Sequence, residues 1–121
     1  QLRNTGLSNR KAEYLLEIAD RNDEILEICN EDDIKKIENR LCEIRGVVKW
    51  NAEMLLIFAL GKKDIFPLGD VGLIRGLKSV FPETIGMKND HINDFSKRWI
   101  PWRTTVTWYL WRAIDPVPVS Y

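Results

Sequence analysis

Gly46 stands between two runs of helical periodicity and leaves no room for a linker. Upstream, Ile34, Ile37, Leu41 and Ile44 recur at three- and four-residue intervals, the signature of one helix face. Downstream the apolar pattern resumes with Trp50, Ala52, Met54, Leu55, Ile57, Phe58 and Leu60, apolar on nearly every side as in a buried helix. The segment 44–49 must therefore be a tight turn between two helices.

The rest of the chain is punctuated in the same way. Ser8 is a good N-cap for a helix through Lys11, Ala12, Tyr14, Leu15, Leu16, Ile18 and Ala19. A short apolar cluster, Ile25, Leu26 and Ile28, follows, and Asp32 or Asp33 caps the next helix. Gly61 is a natural helix stop, and 64–69, with Pro67, reads as an extended connection. Asp70 opens a helix through Leu77 and Val80 that ends near Phe81-Pro82. A short helix is expected over 90–99. A last one starts at Pro101, carries Val106, Tyr109, Leu110 and Ile114, and runs into a tail set by Pro116 and Pro118. No β pattern of useful length is present, so the fold class is all-α, in one domain over 1–121.

Eighteen basic residues balance eighteen acidic ones, so no bulk positive field advertises nucleic acid, and any DNA contact must come from local geometry. Cys29 and Cys42 are too few for a zinc site or an iron–sulfur cluster, and read as reduced thiols. No apolar run approaches the ~18 residues of a membrane span. The expected location is intracellular: cytoplasmic in a bacterium or archaeon, nuclear in a eukaryote. Helical pattern begins almost at Gln1, as in a fragment whose upstream part is missing. His91, with only Asp90 and Asp94 nearby, reads as a surface histidine, and Trp99, Trp102 and Trp108 read as core. Arg103 and Arg112 either bind phosphate or pair with acids. The N–H groups of the turn at Gly46 and of the following helix N-terminus suit an anion such as a DNA phosphate. An ordinary αα-turn is the alternative.

The run Ile44-Arg45-Gly46-Val47-Val48-Lys49-Trp50-Asn51-Ala52-Glu53-Met54 resembles the hairpin and second helix of the helix-hairpin-helix (HhH-GPD) DNA glycosylase superfamily. Twenty residues past Trp50, Phe66-Pro67-Leu68-Gly69-Asp70 resembles its aspartate segment. Gly6-Leu7-Ser8-Asn9-Arg10-Lys11-Ala12 is similar to its opening Gly-Leu-Ser…Lys-Ala motif. Trp99-Ile100-Pro101-Trp102-Arg103 and Trp108-Tyr109-Leu110-Trp111-Arg112 resemble the final core helix of the alkylation-repair branch, 3-methyladenine DNA glycosylase II. The chain departs from the pattern in having Val48 at a usual glycine and Asn51 at a usual threonine, and the family's upstream helices have no counterpart before Gln1. A β-branched residue at positive φ is strained, so Val48 either adopts another conformation or weakens the hold on phosphate.

The resemblance implies the C-terminal part of a helical glycosylase domain, with helix-hairpin-helix at about 33–60. It implies base-excision repair of flipped-out alkylated purines, with Asp70 stabilising the oxocarbenium-like transition state and positioning water. Asp70 is equally well placed to be only a helix cap. Trp50 stands where bifunctional relatives carry a Schiff-base lysine, and Lys49 points about 100° away, which implies a monofunctional hydrolase. Trp50, Met54 and Trp111 would line the base pocket, and Gly46, Val48, Lys49 and Asn51 would hold DNA phosphate. The carbonyls of Cys42, Ile44 and Val47 would hold a structural Na+ or K+, with no other cofactor required. The implied partners are double-stranded DNA carrying alkylated bases and the missing N-terminal part of the same protein, with no membrane. A non-catalytic helix-hairpin-helix module binding DNA or protein is the alternative.

Overall fold

The computed structural model describes residues 2–115. A 3-10 helix, Leu2–Thr5, precedes α1 (Asn9–Asp20), α2 (Asn22–Cys29), α3 (Ile34–Cys42), α4 (Lys49–Phe58), α5 (Val71–Val80), α6 (Asn89–Ser96) and α7 (Arg103–Ile114). Short 3-10 helices, Pro82–Thr84 and Lys97–Trp99, flank α6, and no strand occurs among the described residues. The expected all-α class holds. The tail expected from Pro116 and Pro118 lies outside the described residues. The chain divides into two compact units, one ending at Leu55 and one beginning at Leu56, inside α4.

In the first unit the helix starts follow their caps. Ser8 Oγ accepts the Lys11 N–H at 3.3 Å, and Asp33, not Asp32, accepts those of Lys35 and Lys36 at 2.8 and 3.3 Å. The apolar cluster at 25–28 lies in α2, which follows α1 after Arg21 alone. Buried Ala12, Ile28, Ile37, Leu41, Ile44 and Ala52 supply this unit's core.

At the turn, Gly46 has φ +90°, and a Cβ there would stand 2.5 Å from Tyr14 Cγ on α1. Glycine is thus required both by backbone conformation and by packing. No other residue type takes positive φ among the described residues. Val48 therefore avoids the strain foreseen for it.

In α4, Ala52, Glu53, Leu56 and Ile57 are buried, but Trp50 and Phe58 are 44% and 58% exposed. The expectation of burial on nearly every side fails at these two aromatics.

The second unit starts from the end of α4. Gly61, at φ +59°, reverses the chain so that the Lys62 N–H reaches the Leu56 carbonyl at 2.9 Å, satisfying one of the carbonyls that a helix end leaves without a partner. Phe66, Leu73, Leu77, Ile92 and Leu110 form the core, with Trp99 packed against it among Phe66, Phe81 and Phe95. Helices α5 and α7 meet at Gly76, where a Cβ would collide with the Leu110 carbonyl.

Three expectations for this unit are corrected. α7 begins at Arg103, two residues beyond Pro101. Its buried face is Thr104, Thr107 and Leu110, while Tyr109 is 74% exposed. Buried hydroxyls with hydrogen-bond partners are tolerated where an apolar stripe alone would not reveal them. Trp102 and Trp108 are exposed rather than core, and Lys63 lies over the Trp102 ring at 5.3 Å.

Candidate active site

Asp70 is placed from two directions. The turn Pro67–Asp70 closes through the Asp70 N–H and the Pro67 carbonyl at 2.9 Å, delivering the carboxylate to the start of α5. There Oδ2 accepts the Leu73 N–H at 2.6 Å, so Asp70 is the N-cap of α5. The same oxygen accepts Trp111 Nε1–H from α7 at 2.8 Å. Gly72 leaves room beside this meeting: a Cβ there would lie a tight 3.2 Å from Asp70 Oδ2 and in ordinary contact, 3.5 Å, with Trp111 Cδ1.

α7 also positions the approach to Asp70. Thr104 Oγ1 donates to the Lys62 carbonyl at 2.7 Å and accepts the Ile65 N–H at 2.9 Å. Thr107 Oγ1 donates to the Ile65 carbonyl at 3.2 Å. Asp64 receives Arg103 in a two-point fork, 2.7 Å from Nε and 2.8 Å from Nη2. Those hydrogen bonds from the Arg103 guanidinium hold the Asp64 carboxyl below its ordinary value, against the opposing effect of burial. Arg103 thus pairs with an acid, and Arg112 does the same with Asp115 at 3.4 Å.

Trp111 belongs to an aromatic group. Its ring is parallel to Phe58 (interplanar angle 1°, centroids 5.9 Å apart), and Trp108 stands edge-on to both. With Phe58 and Trp108 exposed, a half-open aromatic surface adjoins the Asp70 carboxylate. Phe58, Trp108, Gly72 and the two threonines were not foreseen as site residues. Phe58 carried a visible signal, as an aromatic at the end of a helix next to a glycine stop. The threonines and Gly72 carried none, because their roles depend on groups distant in sequence.

The turn at Gly46 lies in the first unit. The Val48 N–H donates to Asn51 Oδ1 at 3.0 Å. Asn51, third in α4, thus reaches back to the residue before the helix, one half of a capping box. Lys49 Nζ is 3.5 Å from Glu38 and 3.8 Å from buried Glu53. The carbonyl of Ile44 accepts the Val47 N–H at 3.0 Å. Trp50 is exposed and Met54 half-buried along α4. No group of three or more His, Cys, Asp or Glu side chains that could hold a metal occurs among the described residues.

No family model matches the chain. YfjP of Bacillus subtilis, which carries the name of a DNA-3-methyladenine glycosylase, is 35% identical over 94% of this chain and 41% of its own length. DNA-3-methyladenine glycosylase 1 of Schizosaccharomyces pombe is 30% identical over 93% of the chain and 51% of its own length. The crystal structure of a DNA-3-methyladenine glycosidase from Bacillus halodurans superposes with a TM-score of 0.79 at 31% identity. That match covers 95% of this chain and 54% of the other.

This chain, with its glycine turn and its aspartate-capped helix, is similar over nearly its whole length to part of proteins named DNA-3-methyladenine glycosylases. It spans about half the length of the relatives it matches.

Proposed function

We propose that this chain carries the catalytic carboxylate of a monofunctional base-excision glycosylase acting on alkylated purines such as 3-methyladenine and 7-methylguanine in double-stranded DNA. The observation that carries the reading is the Asp70 carboxylate, fixed by the Leu73 N–H and Trp111 Nε1–H beside the half-open surface of Phe58, Trp108 and Trp111. Alkylated purines are cationic or electron-poor, and electron-rich ring faces favour them. As the N-glycosidic bond breaks, its electron pair leaves with the base and positive charge builds on the sugar. A fixed anion lowers the energy of that state. Water adds to the sugar carbon, and Asp70 orients it and takes up its proton.

Lys49, held between Glu38 and Glu53, supports a water mechanism without a lysine nucleophile. On this reading Trp111 lines the base pocket. The turn at Gly46 holds phosphate through the Lys49 N–H and the Asn51 Nδ2–H. The Val48 N–H serves Asn51 instead, so Val48 contributes only its place in the turn. The carbonyls of Cys42, Ile44 and Val47 would hold a monovalent cation. An ordinary carbonyl has two lone pairs, so the bond from Val47 to the Ile44 oxygen leaves one for an ion.

Asp70→Asn in the full-length protein tests the reading, because asparagine still caps a helix but removes the charge. Single-turnover release of 7-methylguanine from methylated DNA should fall by about 10²–10³-fold, with thermal stability retained. An unchanged rate would leave Asp70 as a cap alone and overturn this mechanism, whereas abasic-DNA binding by the parent without base release would favour a non-catalytic DNA-binding module.

A further inference from the structure

A cleft of about 400 Å³ opens along α5, with Gly69, Asp70, Ile74, Arg75, Lys78 and Asn89 on its walls. Val71, Ile74, Arg75 and Lys78 follow the i, i+3, i+4, i+7 spacing of a single helix face. Two cations therefore share one side of α5 with the carboxylate at its start. At 1.5 Å per residue, Arg75 lies about 7.5 Å and Lys78 about 12 Å along the axis from Asp70.

Several other basic groups of this unit are already committed. Arg103 is bound to Asp64, Arg112 to Asp115 and Lys97 to Asp94, while Arg98 lies 3.6 Å over the Phe95 ring. Arg75 and Lys78 form no ion pair within 4.0 Å among the described residues. Lys78, in the last turn of α5, gains something from the helix dipole. Arg75, mid-helix and exposed, has no such role. In a chain with no net charge, unpaired cations lining a cleft are what a polyanion requires.

We propose that this cleft seats the DNA backbone, with Arg75 and Lys78 on two phosphates beside the nucleotide presented to Asp70. The proposal rests on the glycosylase reading for the position of that nucleotide. Their spread along the helix suits successive phosphodiesters rather than one enclosed anion. The distance from Asp70 also keeps the phosphates clear of its like charge.

The test measures affinity of the full-length protein for a duplex containing an abasic-site analogue, across a salt series. Each phosphate contact contributes about 0.9 to the slope of log affinity against log salt, so the R75Q/K78Q variant should lower that slope by about 2. The charge-conserving R75K/K78R variant should restore it, and K97Q, which removes a charge already paired, should leave it as in the parent. A parental slope in folded R75Q/K78Q overturns the proposal. So does stabilisation of the parent, but not of R75Q/K78Q, by inorganic phosphate without any change in DNA slope, since the cleft would then take a free anion. Base release by the parent separates the two readings. An inactive parent whose slope still depends on Arg75 and Lys78 rejects the glycosylase and keeps the cleft. An active parent with no such dependence rejects the cleft alone.

Discussion

Trp111 donates its only polar hydrogen to Asp70 while its ring lies parallel to Phe58. Trp111→Phe separates these two roles, since phenylalanine keeps an aromatic face and loses the donor. A hydrogen bond to a charged group is worth about 1.5–3 kcal/mol, so single-turnover base release should fall roughly ten- to a hundredfold. Asp70 itself is legible in the sequence. A carboxylate after a Pro-containing connection and before an apolar helical run reads as an N-cap, and the spacing from Trp50 marks it out among eighteen acids. The cap is observed, while Trp111, forty-one residues further on, could be joined to it only by resemblance. Buried Glu53 went unread for a similar reason, because nothing in a helical apolar run shows which polar residue turns inward.

At the scale of elements, period and punctuation served well. Ser8, Asp33, Gly61 and Asp70 bound their helices where their chemistry says they should. Periodicity failed on α7, because buried Thr104 and Thr107 are polar and exposed Tyr109 is not. It failed on Trp50 and Phe58 because an apolar residue need not be a covered one. The crossing of α5 and α7 depends on Gly76. Gly76→Ala gains ~1 kcal/mol of helix preference but drives a methyl into a backbone carbonyl that cannot rotate away. Overpacking costs about 1–3 kcal/mol, and a backbone obstacle puts this site at the upper end. Urea denaturation should show net destabilisation. Gly46→Ala should also destabilise, because positive φ and the Tyr14 ring both reject a Cβ.

Across the whole molecule, acidic conditions should weaken the fold. Hydrogen bonds from Arg103 hold the Asp64 carboxyl below its ordinary value of 3.8. Those from Lys36 and Lys97 do the same for Glu31 and Asp94 at the surface. A carboxyl depressed in the native state favours folding fully above its unfolded value, and that contribution disappears as pH falls through the native one. Melting temperature should drop between about pH 5 and pH 2, and Asp64→Asn should flatten part of that slope. The Thr104 and Thr107 staples have a different consequence, one of timing. A nascent chain emits Asp70 before the residues that steady it, and the forty-one positions to Trp111 take about 2–8 s at 5–20 residues per second. Until then the peptide from Lys62 to Asp70 has no α7 hydroxyls or indole to fasten it. The Asp70 carboxylate is therefore steadied only once α7 has left the ribosome.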